Sequence, residues 1–240
     1  MLFDEIDRLK AEIDKIRPFE GAGLKQIKAY YRIGLTYTSN ALEGNSLTES
    51  ETKVVLEDGL TIGGRPLRDI YEATGHAKAY DHIFELLNNS TLTEADVLQV
   101  HKLFYEQIDN ANAGAYRREP VIISGSQYPT VAPTKIKRAM KEFFDWLSLN
   151  ELKSHPVTFA AEAHKKFVFI HPFIDGNGRV ARLLMNLCLM RRGYTIAIIP
   201  PVLRANYIER LEQAHIDSQP FINFIGERVL ETQRDLLRLF

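Results

Sequence analysis

A proton acceptor, a hard oxygen ligand and two anion ligands crowd into one short stretch: His171-Pro172-Phe173-Ile174-Asp175-Gly176-Asn177-Gly178-Arg179, with Arg182 three residues on. An imidazole with an unperturbed pKa of ~6.5 suits proton transfer near neutrality. The spacing of Val180, Leu183, Leu184, Leu187 and Met190 predicts a helix that starts at this loop and stops at Gly193. A helix start carries partial positive charge from its free N–H groups, so two arginines in its first turns repel it unless an anion lies between them. Phosphate is the first candidate.

Elements on either side must hold these residues. Pro172 and the glycines interrupt any helix running through His171, so the stretch reads as helix, tight loop, helix, with Gly176 to Gly178 forming the loop and first turn. Glycine lets backbone approach a ligand closely, and consecutive N–H groups can converge into an anion nest. Arg179 and Arg182 share one helix face. An ordinary turn between two helices stays open, since Asp-Gly and Asn-Gly are common turn pairs. A calcium loop beginning at Asp175 fails, with Val180 where glycine is required and Asn186 where glutamate is required. No second His or Cys stands at zinc-ligand spacing near His171, and no G-x-x-x-x-G-K-[ST] loop occurs.

H-P-F-x-D-G-N-G-R-x-x-R resembles, at every fixed position, the active-site motif of Fic-domain proteins. The similarity extends from roughly Leu24 to the C-terminus and includes Gly114-Ala115-Tyr116-Arg117 and the helix from Ala160 to His164. It implies an all-α Fic fold, a helical bundle around a central helix-loop-helix with a short β-hairpin flap. It also implies transfer of AMP from ATP to a Ser, Thr or Tyr hydroxyl of a protein, the chain itself among the candidates, with release of pyrophosphate. His171 would be the general base, and Asp175 would hold Mg²⁺. The amides of Gly176, Asn177 and Gly178 would bind phosphate oxygens, with Arg179 and Arg182 on the β- and γ-phosphates. Doc-type kinases of the same family carry Lys where this chain has Gly178, which favours nucleotidyl transfer. Phe173 is expected in the core beneath the loop.

A second anomaly lies upstream. Lys25 to Leu42 reads as a helix ended by Gly44, and Glu43 sits at its C-terminal end, where partial negative charge makes a carboxylate unwelcome. A negative group at the wrong end of one helix and positive groups at the wrong end of another could relieve each other. Ser39-Asn40-Ala41-Leu42-Glu43-Gly44 resembles the family's inhibitory pattern, S/T-x-x-x-E-G/N, which implies that Ser39 and Glu43 restrain Arg182 and obstruct the γ-phosphate. The same glutamate could position water for removal of AMP from a target.

Val121 to Ile123, Ser124-Gly125-Ser126 and Tyr128 to Val131 read as a hairpin, with Pro133 opening the next helix. The resemblance makes it a flap that docks the target as an added strand, with Ile122, Ile123 and Tyr128 as docking residues. Arg204 to His215 should form a helix near the adenine, Tyr207 supplying a ring; relatives often carry Asn where this chain has His215. His76, His82 and His101 are expected in structural roles, His164 in the core or behind the loop, and Cys188 as a buried thiol.

The 240 residues, 45% hydrophobic, suffice for one sizeable core, expected as an N-terminal helical region, 1–90, carrying the inhibitory helix and packed as one unit with a catalytic core, 91–240. Thirty basic and thirty-one acidic residues give a net charge of −1, which offers no argument for nucleic acid or membrane. The single cysteine and the acidic start, Met1 to Glu5, lead to an expectation of a cytoplasmic protein. Leu2, Ile6, Leu9, Ile13 and Ile16 form a short seam expected to pack on the parent domain, with oligomerisation left open. A silent nucleotide sensor or antitoxin-like interaction protein on the same fold remains the alternative function.

Overall fold

The computed structural model describes residues 1–16, 21–89 and 91–239. Ten α-helices are present among them: α1 (Leu2–Lys15), α2 (Gly21–Ala41), α3 (Glu49–Lys53), α4 (Leu67–Glu85), α5 (Glu94–Tyr105), α6 (Ile136–Asn150), α7 (Pro156–Ile170), α8 (Asn177–Arg191), α9 (Arg204–Gln213) and α10 (Gln219–Arg238). Several begin where the sequence supplies a cap. Thr48 with Glu51 and Thr93 with Asp96 form capping boxes at α3 and α5, and Pro156 opens α7 behind the ring nitrogen of His155.

Helices α7 and α8 make the most extensive helix pair, and α8 is buried from Val180 to Leu189. Buried on every face, with Arg182 and Asn186 as its polar exceptions, it occupies the centre of the bundle. Around it pack α4, α5 and the end of α2, while α6 and α10 cover α7. One buried cluster runs from Ile6 and Leu9 on α1 through Phe167, Phe173 and Leu184 to Leu230 on α10. The N-terminal seam lies on α10: Gln233 donates to the Ile6 carbonyl, Arg234 pairs with Glu5, and Asp7 accepts from the Tyr194 hydroxyl. No helix among the described residues is long and apolar enough to cross a membrane.

The all-α architecture is observed, with one correction. The expected hairpin is absent: no strand occurs among the described residues, and 118–132 is irregular. Ser126 N–H bonds the Ile123 carbonyl in a turn, and Thr130 Oγ1 donates to the Val121 carbonyl, but no main-chain ladder joins the two limbs. β-branched residues favour extended backbone, yet a two-stranded ribbon without a packed face is marginal in water. Side chains from elsewhere hold this segment instead.

Candidate active site

Helix α7 ends at His171, which takes a left-handed conformation at φ 54°. It is the only non-glycine with positive φ among the described residues. Pro172 then prevents continuation of the helix. His171 Nδ1 lies 3.3 Å from the Val168 carbonyl, which assigns the proton to Nδ1 and leaves the Nε2 lone pair free to accept another. Burial pushes this imidazole below its ordinary value; the Val168 carbonyl, Glu43 and Asp175 oppose the shift, and the Arg117 cation adds to it.

The loop from Pro172 to Gly176 is braced internally. Asn177 Oδ1 accepts from Phe173 N–H at 2.9 Å, and its amide nitrogen donates to the Phe173 carbonyl at 2.8 Å. Phe173 is buried and stacks face to face on His101, ring centroids 3.7 Å apart. Gly114 N–H donates to His101 Nδ1, so Nε2 carries the proton and faces the Asp175 carbonyl at 3.1 Å. Burial holds His101 down to about 4, consistent with this neutral tautomer. Gly176, at φ 79°, starts α8; a Cβ there would strike the Phe104 ring. The N–H groups of Asn177 and Gly178 open the helix without intrahelical partners, whereas that of Gly176 is held by Asp175 Oδ1 at 2.6 Å.

Both arginines are buried and already face carboxylates. Arg182, 2% exposed, donates from Nη2 to Glu43 Oε1 at 2.7 Å and to the Ser39 carbonyl at 2.8 Å, and from Nε to Ser39 Oγ at 2.9 Å. The Glu43 carboxylate lies over Gly178, in the space a Cβ would need. Its side chain remains 35% exposed. Burial works against its charge, but Arg182 and Arg179 outweigh that and hold the carboxyl below its ordinary value. Arg179 stacks on Phe104 and pairs with Glu72 at 2.9 Å and with Asp175 at 3.2 Å. Arg68 closes the ring, reaching Asp175 Oδ2 at 2.6 Å and Glu72 at 3.2 Å. Glu43, Arg68, Glu72, Asp175 and Arg179 thus line one polar cleft.

His171, Asp175, Gly176, Asn177, Gly178, Arg179, Arg182, Ser39 and Glu43 therefore meet around one helix start. Tyr207 does not offer a free ring to a base: it is 2% exposed, and its hydroxyl bonds His164 Nε2 at 2.9 Å and receives Arg182 Nη1 at 3.4 Å. It fills the floor behind Arg182. Ile122 is 92% exposed and Ile123 half-buried, but Tyr128 is turned onto His215, rings 3.7 Å apart, and His215 in turn onto Phe169 at 3.5 Å. Arg68, Glu72 and Arg117 escape a reading of the sequence, whereas His101 has the structural role expected of it. The Gly114–Arg117 element and the i,i+4 spacing of Arg68 and Glu72 carry the only signal.

For Mg²⁺ the donor set is one-sided. No group of three or more His, Cys, Asp or Glu able to hold a metal occurs among the described residues. Mg²⁺ is commonly held by one or two carboxylates with substrate phosphates and water. Asp175, an oxygen ligand at the cleft, fits that mode.

The central helix of the bundle thus begins with two N–H groups that lack intrahelical partners and with two buried arginines, just after a histidine whose Nε2 is free: groups that can hold an anion beside a proton acceptor. Residues 91–189 match the Fic/DOC family, and the chain belongs to that family through this Fic domain. It is 36% identical over 228 residues to "Protein adenylyltransferase Fic" of Nematostella vectensis, covering 92% of this chain and 53% of that protein. Among solved structures, a fragment of Fic-1 from C. elegans has a TM-score of 0.89 at 28% identity, covering 100% of this chain and 71% of that one. A Fic domain containing signaling protein from Bacteroides thetaiotaomicron also reaches 0.89 at 28% identity, covering 96% and 94%. The chain spans about half the length of the curated relatives it matches.

Proposed function

We propose that this chain is a self-restrained protein adenylyltransferase. It moves AMP from ATP to a Ser, Thr or Tyr hydroxyl of a protein. The hydroxyl oxygen attacks the α-phosphorus while its proton passes to His171 Nε2. The bond from the α-phosphorus to the α,β-bridging oxygen breaks, and pyrophosphate leaves with the electron pair. The amides at the start of α8 stabilise charge developing on the phosphoryl oxygens, and Arg179 and Arg182 hold the leaving group. Asp175 would hold Mg²⁺, which when bound neutralises phosphate charge.

The observation carrying this reading is the occupancy of the arginines. Two buried guanidinium groups at a helix start are each held by carboxylates, Arg182 by Glu43 at 2.7 Å and Arg179 by Glu72 at 2.9 Å. Those carboxylates stand where an anionic tail belongs on chemical grounds, since Arg fits carboxylate and phosphate with the same fork. Glu43 therefore competes with the nucleotide and restrains transfer. Relatives named protein adenylyltransferase support the choice of the α-phosphorus, which spacing alone does not specify.

The test uses Mg²⁺ and ATP labelled at the α- or γ-phosphate, on wild type, Glu43→Gly, and Glu43→Gly with His171→Ala. We expect α-label on protein to rise at least tenfold in Glu43→Gly and to vanish when His171 is also replaced. γ-Label would indicate a kinase. Neither label, with nucleotide still bound, would replace the enzyme by a sensor.

A further inference from the structure

Arg117 is 4% exposed, yet its hydrogen bonds go to main-chain carbonyls rather than to carboxylates. Nε donates to the His171 carbonyl at 2.7 Å, Nη1 to the Glu119 carbonyl at 2.9 Å, and Nη2 to the Val131 carbonyl. Its own N–H donates to the Pro172 carbonyl at 2.9 Å. Buried arginine ordinarily meets a carboxylate. These carbonyls share one property: each belongs to irregular backbone, where neither helix nor ladder provides a donor. One is the left-handed end of α7, at the histidine itself. Two others are near the ends of the irregular segment 118–132, which lacks a ladder of its own.

We propose that Arg117 is a positioning residue that sets the segment 119–131 at a fixed distance from His171, so that the docked target and its proton acceptor are aligned by one side chain. This rests on the adenylyltransferase reading, in which that segment receives the target. The planar guanidinium is needed because its donors point in fixed, divergent directions, and it spans three carbonyls on two chain segments at once. The phosphate side of the site is built from other parts: Arg182 answers to Ser39 and Glu43, and Arg179 to Glu72 and Asp175. Arg117 therefore governs the target side and leaves the nucleotide side unchanged. Its cation is also among the groups acting on the His171 ring, together with Glu43 and Asp175.

The experiment compares Arg117→Lys and Arg117→Met in the Glu43→Gly background. It measures Mg²⁺·ADP affinity by calorimetry, amide exchange across 119–131, the ring signal of His171 by NMR, and self-labelling from α-labelled ATP. Lys keeps the charge but cannot span three carbonyls. We expect it to bind Mg²⁺·ADP within about twofold of its parent, to exchange at least tenfold faster across 119–131, and to label at least tenfold more slowly. Met should loosen the segment equally and also move the His171 titration upward; if Met fails to fold, Lys alone carries the test. Unchanged exchange and labelling in Lys would overturn the proposal, as would nucleotide affinity falling in step with melting temperature, which marks a merely structural role. If the Glu43→Gly parent transfers no α-label at all, the adenylyltransferase reading fails, while exchange and nucleotide affinity still decide what Arg117 holds.

Discussion

The loop between α7 and α8 and the segment between α5 and α6 both hold irregular backbone in place, by opposite means. The loop is fixed from within and from below: Asn177 bonds both main-chain groups of Phe173, His101 holds the Asp175 carbonyl, and Phe173 is sealed in the core. The segment has only a turn and a few side-chain ties of its own, and is held mainly from outside, by Arg117 near its ends and by Glu212 and His215 near its tip. Buried and mutually satisfied groups give one geometry; exposed backbone with a few side-chain ties keeps a low cost of deformation. Under the proposed function, phosphoryl transfer would draw on the first property and acceptance of a target chain on the second.

The comparison breaks first at His171. In the Glu43→Gly background, His171→Ala should lower α-phosphate transfer by about 10²–10⁴-fold, the usual worth of a general base. Mg²⁺·ADP affinity, measured by calorimetry, should stay within about twofold because the arginines and amides are untouched. A parallel loss of binding would mean that the histidine belongs to the nucleotide pocket instead.

Next comes the loop's internal brace. Asn177→Ala leaves a buried N–H and a buried carbonyl of Phe173 unpaired, each costing about 1–3 kcal/mol. A drop in stability of about 2–4 kcal/mol by denaturant unfolding is expected, with transfer lost as well. A stable and active variant would show that His101, Arg117 and the core hold the loop without Asn177.

How much of this a sequence reveals depends on chain separation. His171, Asp175, Arg179 and Arg182 are contiguous, so motif and helix periodicity expose them together. Glu43 is 139 residues from its partner, yet it is legible because a carboxylate at a helix C-terminus violates dipole preference in a recognisable local pattern. Arg68 and Arg117 leave no comparable mark: their bonds to Asp175 and His171 span 107 and 54 residues, and nothing in either neighbourhood is anomalous. Tyr207 fails differently, since an aromatic on a helix reads the same whether it stacks on a base or backs an arginine. The hairpin fails because β-propensity at Val121 to Ile123 reports fitness for a packed sheet face, and this segment has none.

A smaller effect sharpens the electrostatic side. Burial holds His171 below its ordinary value, so the imidazole is neutral and able to accept a proton through neutral pH. Transfer should therefore stay flat as pH falls toward ~6.5 and decline only below it, as the ring becomes protonated. Glu43 raises the value, so Glu43→Gly should move the His171 titration lower still, as read from its ring signal by NMR. A rise would mean that Glu43 does not act on the ring.

The smallest expected effect concerns the tip of the segment. Glu212 on α9 accepts Gln127 N–H at 2.7 Å and Ser126 Oγ at 2.9 Å, and three residues later His215 lies between Tyr128 and Phe169. These contacts join the segment's tip to α9, the helix whose Tyr207 backs Arg182. Glu212→Gln keeps the shape but weakens both bonds by removing the acceptor's charge. Global stability should change by no more than about 0.5 kcal/mol, since the ties are near the surface. Amide exchange from Ser124 to Tyr128 should nevertheless quicken, while exchange at Phe173 to Gly178 stays as it was. Equal acceleration in both places would mean that loop and segment move as one body, and that the division between a rigid loop and a more deformable segment does not hold.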